Sequence, residues 1–141
     1  MRLQPDAKGA GGDDGPSWKR AAFFWAACVL CGAALVRPLT KAVPLFARAA
    51  DIEAFHIVAH VFLYGTLALL IDRGLRRRPV VAGALGMLVG LAQETVQVVL
   101  AGRGLGLPEL FDLGVDATAI TAALSLRRWV SAAPHTPRIL K

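Results

Sequence analysis

The chain has 141 residues, 55% of them apolar and 18% charged, with a net charge of +6. Mean hydropathy is +0.52. A bilayer span takes about 20 residues, so the apolar stock fills most of three or four spans and leaves nothing for a separate soluble core. That excludes a soluble enzyme domain with a helical tail, and the length allows one domain.

The expected fold is all-α: a polytopic membrane protein forming a four-helix transmembrane bundle over residues 18–130. A disordered cytoplasmic N-terminus (1–17) precedes it and a cytoplasmic basic tail (131–141) follows. The Gly/Asp-rich segment up to Ser17 has too little apolar character to fold. Lys19 and Arg20 then lead into the first apolar run, about Trp18 to Leu39. It has the basic and apolar parts of a signal peptide, but reads as an uncleaved first span. The second run covers about Ala54 to Ile71 and the third about Pro79 to Ala101. The fourth, about Asp112 to Trp129, is interrupted by Asp116. In lipid every backbone polar group must be satisfied within its own segment, so each span is expected to be helical. Period-2 alternation is absent, which argues against a β-barrel.

Between the first two runs, Val43 to Ala47 is apolar between prolines and suits an interfacial position. Asp72 to Arg78 is a tight basic turn, and Gly102 to Phe111 is Gly-rich with Pro108. Lys and Arg concentrate before the first run (Arg2, Lys8, Lys19, Arg20), in the second turn (Arg73, Arg76, Arg77, Arg78) and at the end (Arg127, Arg128, Arg138, Lys141). The positive-inside rule then places both termini in the cytoplasm of a cell membrane and requires four crossings. The same flanking pattern accounts for the basic charge without a nucleic-acid partner.

Ionisable groups inside spans are expensive and are candidate functional groups. His56, His60 and Tyr64 recur every four residues in the second span, on one helix face. Gln93, Glu94 and Gln97 fall within one turn of the third, after the small residues Ala82, Gly86 and Gly90, which allow close helix approach. Asp112 and Asp116 are one turn apart in the fourth, and Arg103 lies in the loop before it. At about 1.5 Å per residue, His60, Glu94 and Asp116 fall at similar depths below the outer boundary, which points to one outward-facing polar site.

Several chemistries compete for these residues. His60 and Glu94 are candidates for general acid–base catalysis with Asp116 orienting the histidine, or for interhelical hydrogen-bond glue. Asp112 is a candidate helix cap, and Arg103 a solvated residue or its partner. His56, His60, Glu94 and Asp116 could supply nitrogen and oxygen ligands for zinc or manganese, with His56 and His60 at a workable ligand spacing as the weak candidates. No HExxH follows, however, and neither a metal nor another cofactor is expected. Cys28-x-x-Cys31 has no thioredoxin-like context. No P-loop, dinucleotide fingerprint or nucleophile elbow is present.

The ordered set His60-x-x-x-Tyr64, Glu94-x-x-Gln97, Arg103 and Asp112-x-x-x-Asp116 resembles the VanZ-like family over residues 51 to 126. Where that family often has Asn, this chain has Asp116, and Ala119 replaces a frequent glycine. The resemblance implies a bacterial cell-envelope membrane protein, four spans with both ends inside, and a possible link to teicoplanin resistance. It implies no particular reaction.

The expected activity is engagement of a lipid or cell-wall-precursor head group. Arg103 would attract an anionic group, and His60, Tyr64, Glu94, Gln97, Asp112 and Asp116 would surround it. A membrane hydrolase or transferase using His60 and Glu94, or a small proton-coupled transporter, are the alternatives. The bilayer is the expected partner, and a homodimer is left open because four short spans make a narrow path.

Overall fold

A computed structural model of the chain describes residues 15–45, 48 and 52–132. The expected disorder before residue 15, the tail beyond Ala132 and part of the expected interfacial stretch lie outside the described residues. Four helices account for nearly all of the described chain, and it contains no strand. They are α1 (Gly15–Ala42), α2 (Glu53–Gly74), α3 (Pro79–Ala101) and α4 (Leu107–Ala132).

At about 1.5 Å per residue the shortest, α2, reaches about 33 Å, enough to cross a hydrocarbon core about 30 Å thick. α1, α2 and α3 are apolar enough by composition to cross a membrane. α4 is long enough but too charged to qualify by composition, because Glu109, Asp112, Asp116, Arg127 and Arg128 are spread along it.

Local chemistry sets the helix boundaries. Pro79 occupies the first turn of α3, where its missing N–H costs nothing. Gly102 closes α3 in the left-handed conformation (φ 64°), which glycine adopts without a Cβ clash. Between α2 and α3, Arg76 and Arg77 also take positive φ (55° and 66°), a turn that glycine would make with less strain. α4 begins at Leu107, ahead of the expected Asp112. The Gly106 N–H donates to Glu109 Oε2 at 2.7 Å, the reach-back half of a capping box. Asp112 is therefore not the cap; it lies in the second turn. α1 likewise begins three residues before Trp18 and runs through Pro38 to Ala42.

α2 is the central helix, packed against the other three, while α1 and α4 do not touch among the described residues. The core joins Val29, Tyr64, Leu67, Ala68, Ala82, Ile120 and Leu124. Polarity runs opposite to a soluble domain. Phe23 is 78% exposed and Val80 84%, whereas His60, Asp72, Gln93, Glu94, Glu109 and Asp116 are buried. An apolar exterior over a polar interior is the arrangement lipid selects, and the three apolar helices make this a membrane protein.

The two ends of the helix assembly differ. At one, Arg73 lies over the Trp18 ring at 4.1 Å, Gly74 rests against Lys19 and Arg127 pairs with Asp72. The start of α1, the α2–α3 turn and the end of α4 therefore share a basic end. The other end holds the start of α2, the end of α3 and the start of α4, and carries the polar cluster.

Candidate functional site

Each polar side chain singled out from the sequence reaches this second end by its helical register. On α2 the four-residue spacing stacks His56, His60 and Tyr64, with ring centroids 4.5 Å and 5.8 Å apart in turn. α4 presents Asp112 and Asp116 at the same spacing. His56 Nε2 meets Asp112 Oδ1 at 3.1 Å, and His60 Nδ1 meets Asp116 Oδ1 at 2.8 Å. The two contacts differ in access. His56 and Asp112 have 41% and 15% of their side-chain surface exposed, His60 and Asp116 6% and none.

α3 supplies the third wall. Tyr64 donates its hydroxyl to Gln93 Oε1 at 2.8 Å, and Gln93 Nε2 donates to Glu94 Oε1 at 3.2 Å. Tyr64, Glu94 and Asp116 are the largest polar side chains fully enclosed. The small stripe on α3 makes this possible. A Cβ at Gly90 would fall 2.9 Å from Asp116 Oδ2, closer than real contacts allow. That oxygen is buried and has no hydrogen-bond partner among the described residues.

The expected pairing of His60 with Glu94 is replaced by His60 with Asp116, while Glu94 takes its hydrogen bond from Gln93. The orienting role foreseen for Asp116 has its geometry. Arg103 pairs neither with Asp112 nor with solvent alone: its guanidinium binds Glu109. Burial pushes the Glu109 carboxyl up, but the Gly106 N–H and Arg103 outweigh it and hold the group below the usual carboxylate range.

Sequence reasoning missed Glu109, although Pro108-Glu109 just after Gly106 is a helix-start signature. It also missed the bond between Asp72 and Arg127 at the basic end, for which no local signal exists.

A cavity of about 370 Å³ opens beside the cluster, between α1, α2 and α3. Its walls are mostly apolar, among them Val29, Val36, Leu39, Phe55 and Leu63, while His56, His60, Gln93 and Gln97 form a polar edge. Gln97 and Arg103 also line a smaller pocket of about 80 Å³ with Ala33 and Val36. All the residues foreseen for the site thus gather at one end, Arg103 at its rim.

No family model, curated protein or solved structure matches this chain.

Proposed function

We propose that the chain is a VanZ-like membrane protein of the bacterial cell envelope. It would cross the bilayer four times with both termini cytoplasmic, and hold an amphiphile (a lipid or lipid-linked envelope precursor) by its head group at the outward-facing polar cluster. The observation that carries this reading is the cavity, an apolar groove edged by two histidines and two glutamines. Binding sites for small amphiphiles combine apolar walls with a few placed polar groups. An acyl or prenyl chain suits the walls contributed by α1 and α2, and its head group suits His56, His60 and Gln97.

The pairing of its charged groups supports α4 as a fourth span. A lone charge at mid-membrane costs about 2.5–3.5 kcal/mol on insertion scales. Here Asp112 and Asp116 face His56 and His60, and Arg127 faces Asp72. The three basic clusters at one end support this orientation by the positive-inside rule. The order His60, Tyr64, Glu94, Gln97, Arg103, Asp112, Asp116 supports the VanZ-like assignment.

The test is the lipid that co-purifies with the protein, read by mass spectrometry. Gly32 lines the groove and, among the described residues, has nothing within 4 Å of an added Cβ, so Gly32→Leu adds bulk at the groove wall from an uncrowded position. One lipid class enriched over the bulk membrane, and lost in Gly32→Leu, supports the proposal. Bulk composition in both proteins overturns it.

A second reading, acid–base chemistry at His60 on a lipid-linked phosphate or ester, draws on the His60–Asp116 hydrogen bond. It predicts a membrane lipid whose level changes with the native protein but not with Glu94→Gln.

A further inference from the structure

The polar cluster poses a problem of charge. Asp112 and Asp116 each contact a histidine, and Glu94 is buried on α3 beside Gln93, which binds Tyr64 on the same α2 face as those histidines, while the nearby cation, Arg103, is held by Glu109. An anionic head group would meet carboxylates there. The side chains suggest what balances them. One ligand atom each from His56, His60 and Asp112 lies within 4.8 Å of the others.

We propose that His56, His60 and Asp112 form a binding site for a divalent transition metal, zinc by preference, with Asp116 as the carboxylate that orients His60. The inference rests on side-chain geometry and does not require the lipid reading. Two imidazoles and a carboxylate are a set that borderline metals prefer over magnesium or calcium. Three such protein ligands leave zinc's fourth position to water or an incoming oxygen donor. Ligands about 2.0–2.2 Å from a tetrahedral ion lie about 3.3–3.6 Å apart. His56 Nε2 and Asp112 Oδ1 are 3.1 Å apart, near that spacing, and a ligand atom of His60 lies within 4.8 Å of both. His56 and Asp112 are also the more exposed members of the cluster, so they can rotate at small cost.

The second, independent observation is behind His60. Its Nδ1 lies 2.8 Å from Asp116 Oδ1 in a buried contact. With the proton on Nδ1 and donated to that carboxylate, the neutral ring keeps its lone pair on Nε2. Carboxylate–histidine–metal relays of this kind fix the tautomer and raise ligand basicity. Gly90 leaves room for the carboxylate in that position. A metal held here would supply the positive charge that Arg103, engaged by Glu109, does not bring to the cluster.

The experiment uses the full chain purified in detergent and stripped of metal, titrated with Co²⁺ and then displaced with Zn²⁺. The expected result is one Co²⁺ per chain with a tetrahedral visible spectrum, lacking the charge-transfer band of a thiolate ligand. Asp112→Asn and His56→Ala alter part-exposed positions and keep the core. Each should weaken binding by at least the roughly 10–100-fold that loss of an outer-shell partner costs. Asp116→Asn should weaken it within that range while the protein stays monodisperse. The double substitution Cys28→Ser, Cys31→Ser should leave binding unchanged. Binding that follows the cysteines, or that is no tighter than in an H56A/D112N double variant, overturns the proposal. Bulk lipid composition in the purified protein and in Gly32→Leu, with metal binding intact, would count against the lipid reading alone.

Discussion

His60 and Asp116 stand 56 positions apart in the chain and 2.8 Å apart in the fold. One turn earlier on the same helices, His56 and Asp112 repeat that separation at 3.1 Å. A constant offset between successive contacts means that α2 and α4 run parallel in matched register. Asp72 and Arg127, 55 positions apart, carry the register to the basic end. A parallel pair of helices needs a third to return the chain, and α3 does so, with its small stripe facing both.

Removing the Asp116 side chain should leave His60 buried without its partner. Asp116→Ala is expected to cost about 1–3 kcal/mol, read as a lowered melting temperature in detergent. Asp116→Asn keeps an oxygen acceptor at that place and should cost less than half as much. Equal losses in the two variants would mean that the hydrogen bond contributes little.

Gly90 and Gly86 belong to the same stripe but should respond differently to alanine. A Cβ at Gly90 meets a buried carboxylate oxygen at 2.9 Å, whereas at Gly86 it meets the flexible end of Ile120 at 3.0 Å. Overpacking costs about 1–3 kcal/mol where neighbours cannot yield. Gly90→Ala should lie in that range and disturb the His60–Asp116 contact, seen in the imidazole NMR signals. Gly86→Ala should fall below it.

At the basic end, Arg127→Ala leaves Asp72 buried, with one oxygen already lacking a partner among the described residues. Breaking a buried ion pair costs about 3–5 kcal/mol. The partial exposure of Arg127 places this case at or below the lower figure. Adding Asp72→Asn to Arg127→Ala should recover most of the loss, since the uncompensated charge is then gone. Denaturation of the single and double variants measures the coupling.

The first turn of α4 should be acid-sensitive. The Glu109 carboxyl sits below its ordinary range in the folded chain, so its stabilising contribution is complete above that range and is lost as pH falls through the lowered value. Amide protection at the start of α4, taken relative to the intrinsic exchange rate at each pH, should fall on acidification, and in Glu109→Gln that change should disappear. A rise in protection at low pH would contradict the assignment of Arg103 as its partner.

Four crossings predict that reporters fused at either terminus show cytoplasmic activity, and that a cysteine placed at Gly104 is labelled from outside by an impermeant reagent. Three crossings would put the C-terminal reporter outside.

The sequence by itself determined the helical class, three of the four helices with nearly their observed limits, and the cast of the polar site. Each of these rests on local physics: apolar length, helix-start and helix-stop residues, and the four-residue period that stacks His56, His60 and Tyr64. It also determined that the site residues would collect at one end, because depth follows from counting along each span.

Only the tertiary structure decided the partners. His60 chose Asp116 over Glu94, Arg103 chose Glu109 over Asp112, and Asp72 found Arg127 at the far end of another helix. Those choices depend on how far each helix is rotated about its axis. That rotation is set by the close approach at Gly90 and by the sum of side-chain contacts along α2, which no single segment encodes. The charge that disqualifies α4 as a span by composition is also a tertiary matter, since Asp112, Asp116 and Arg127 each meet a polar partner on α2.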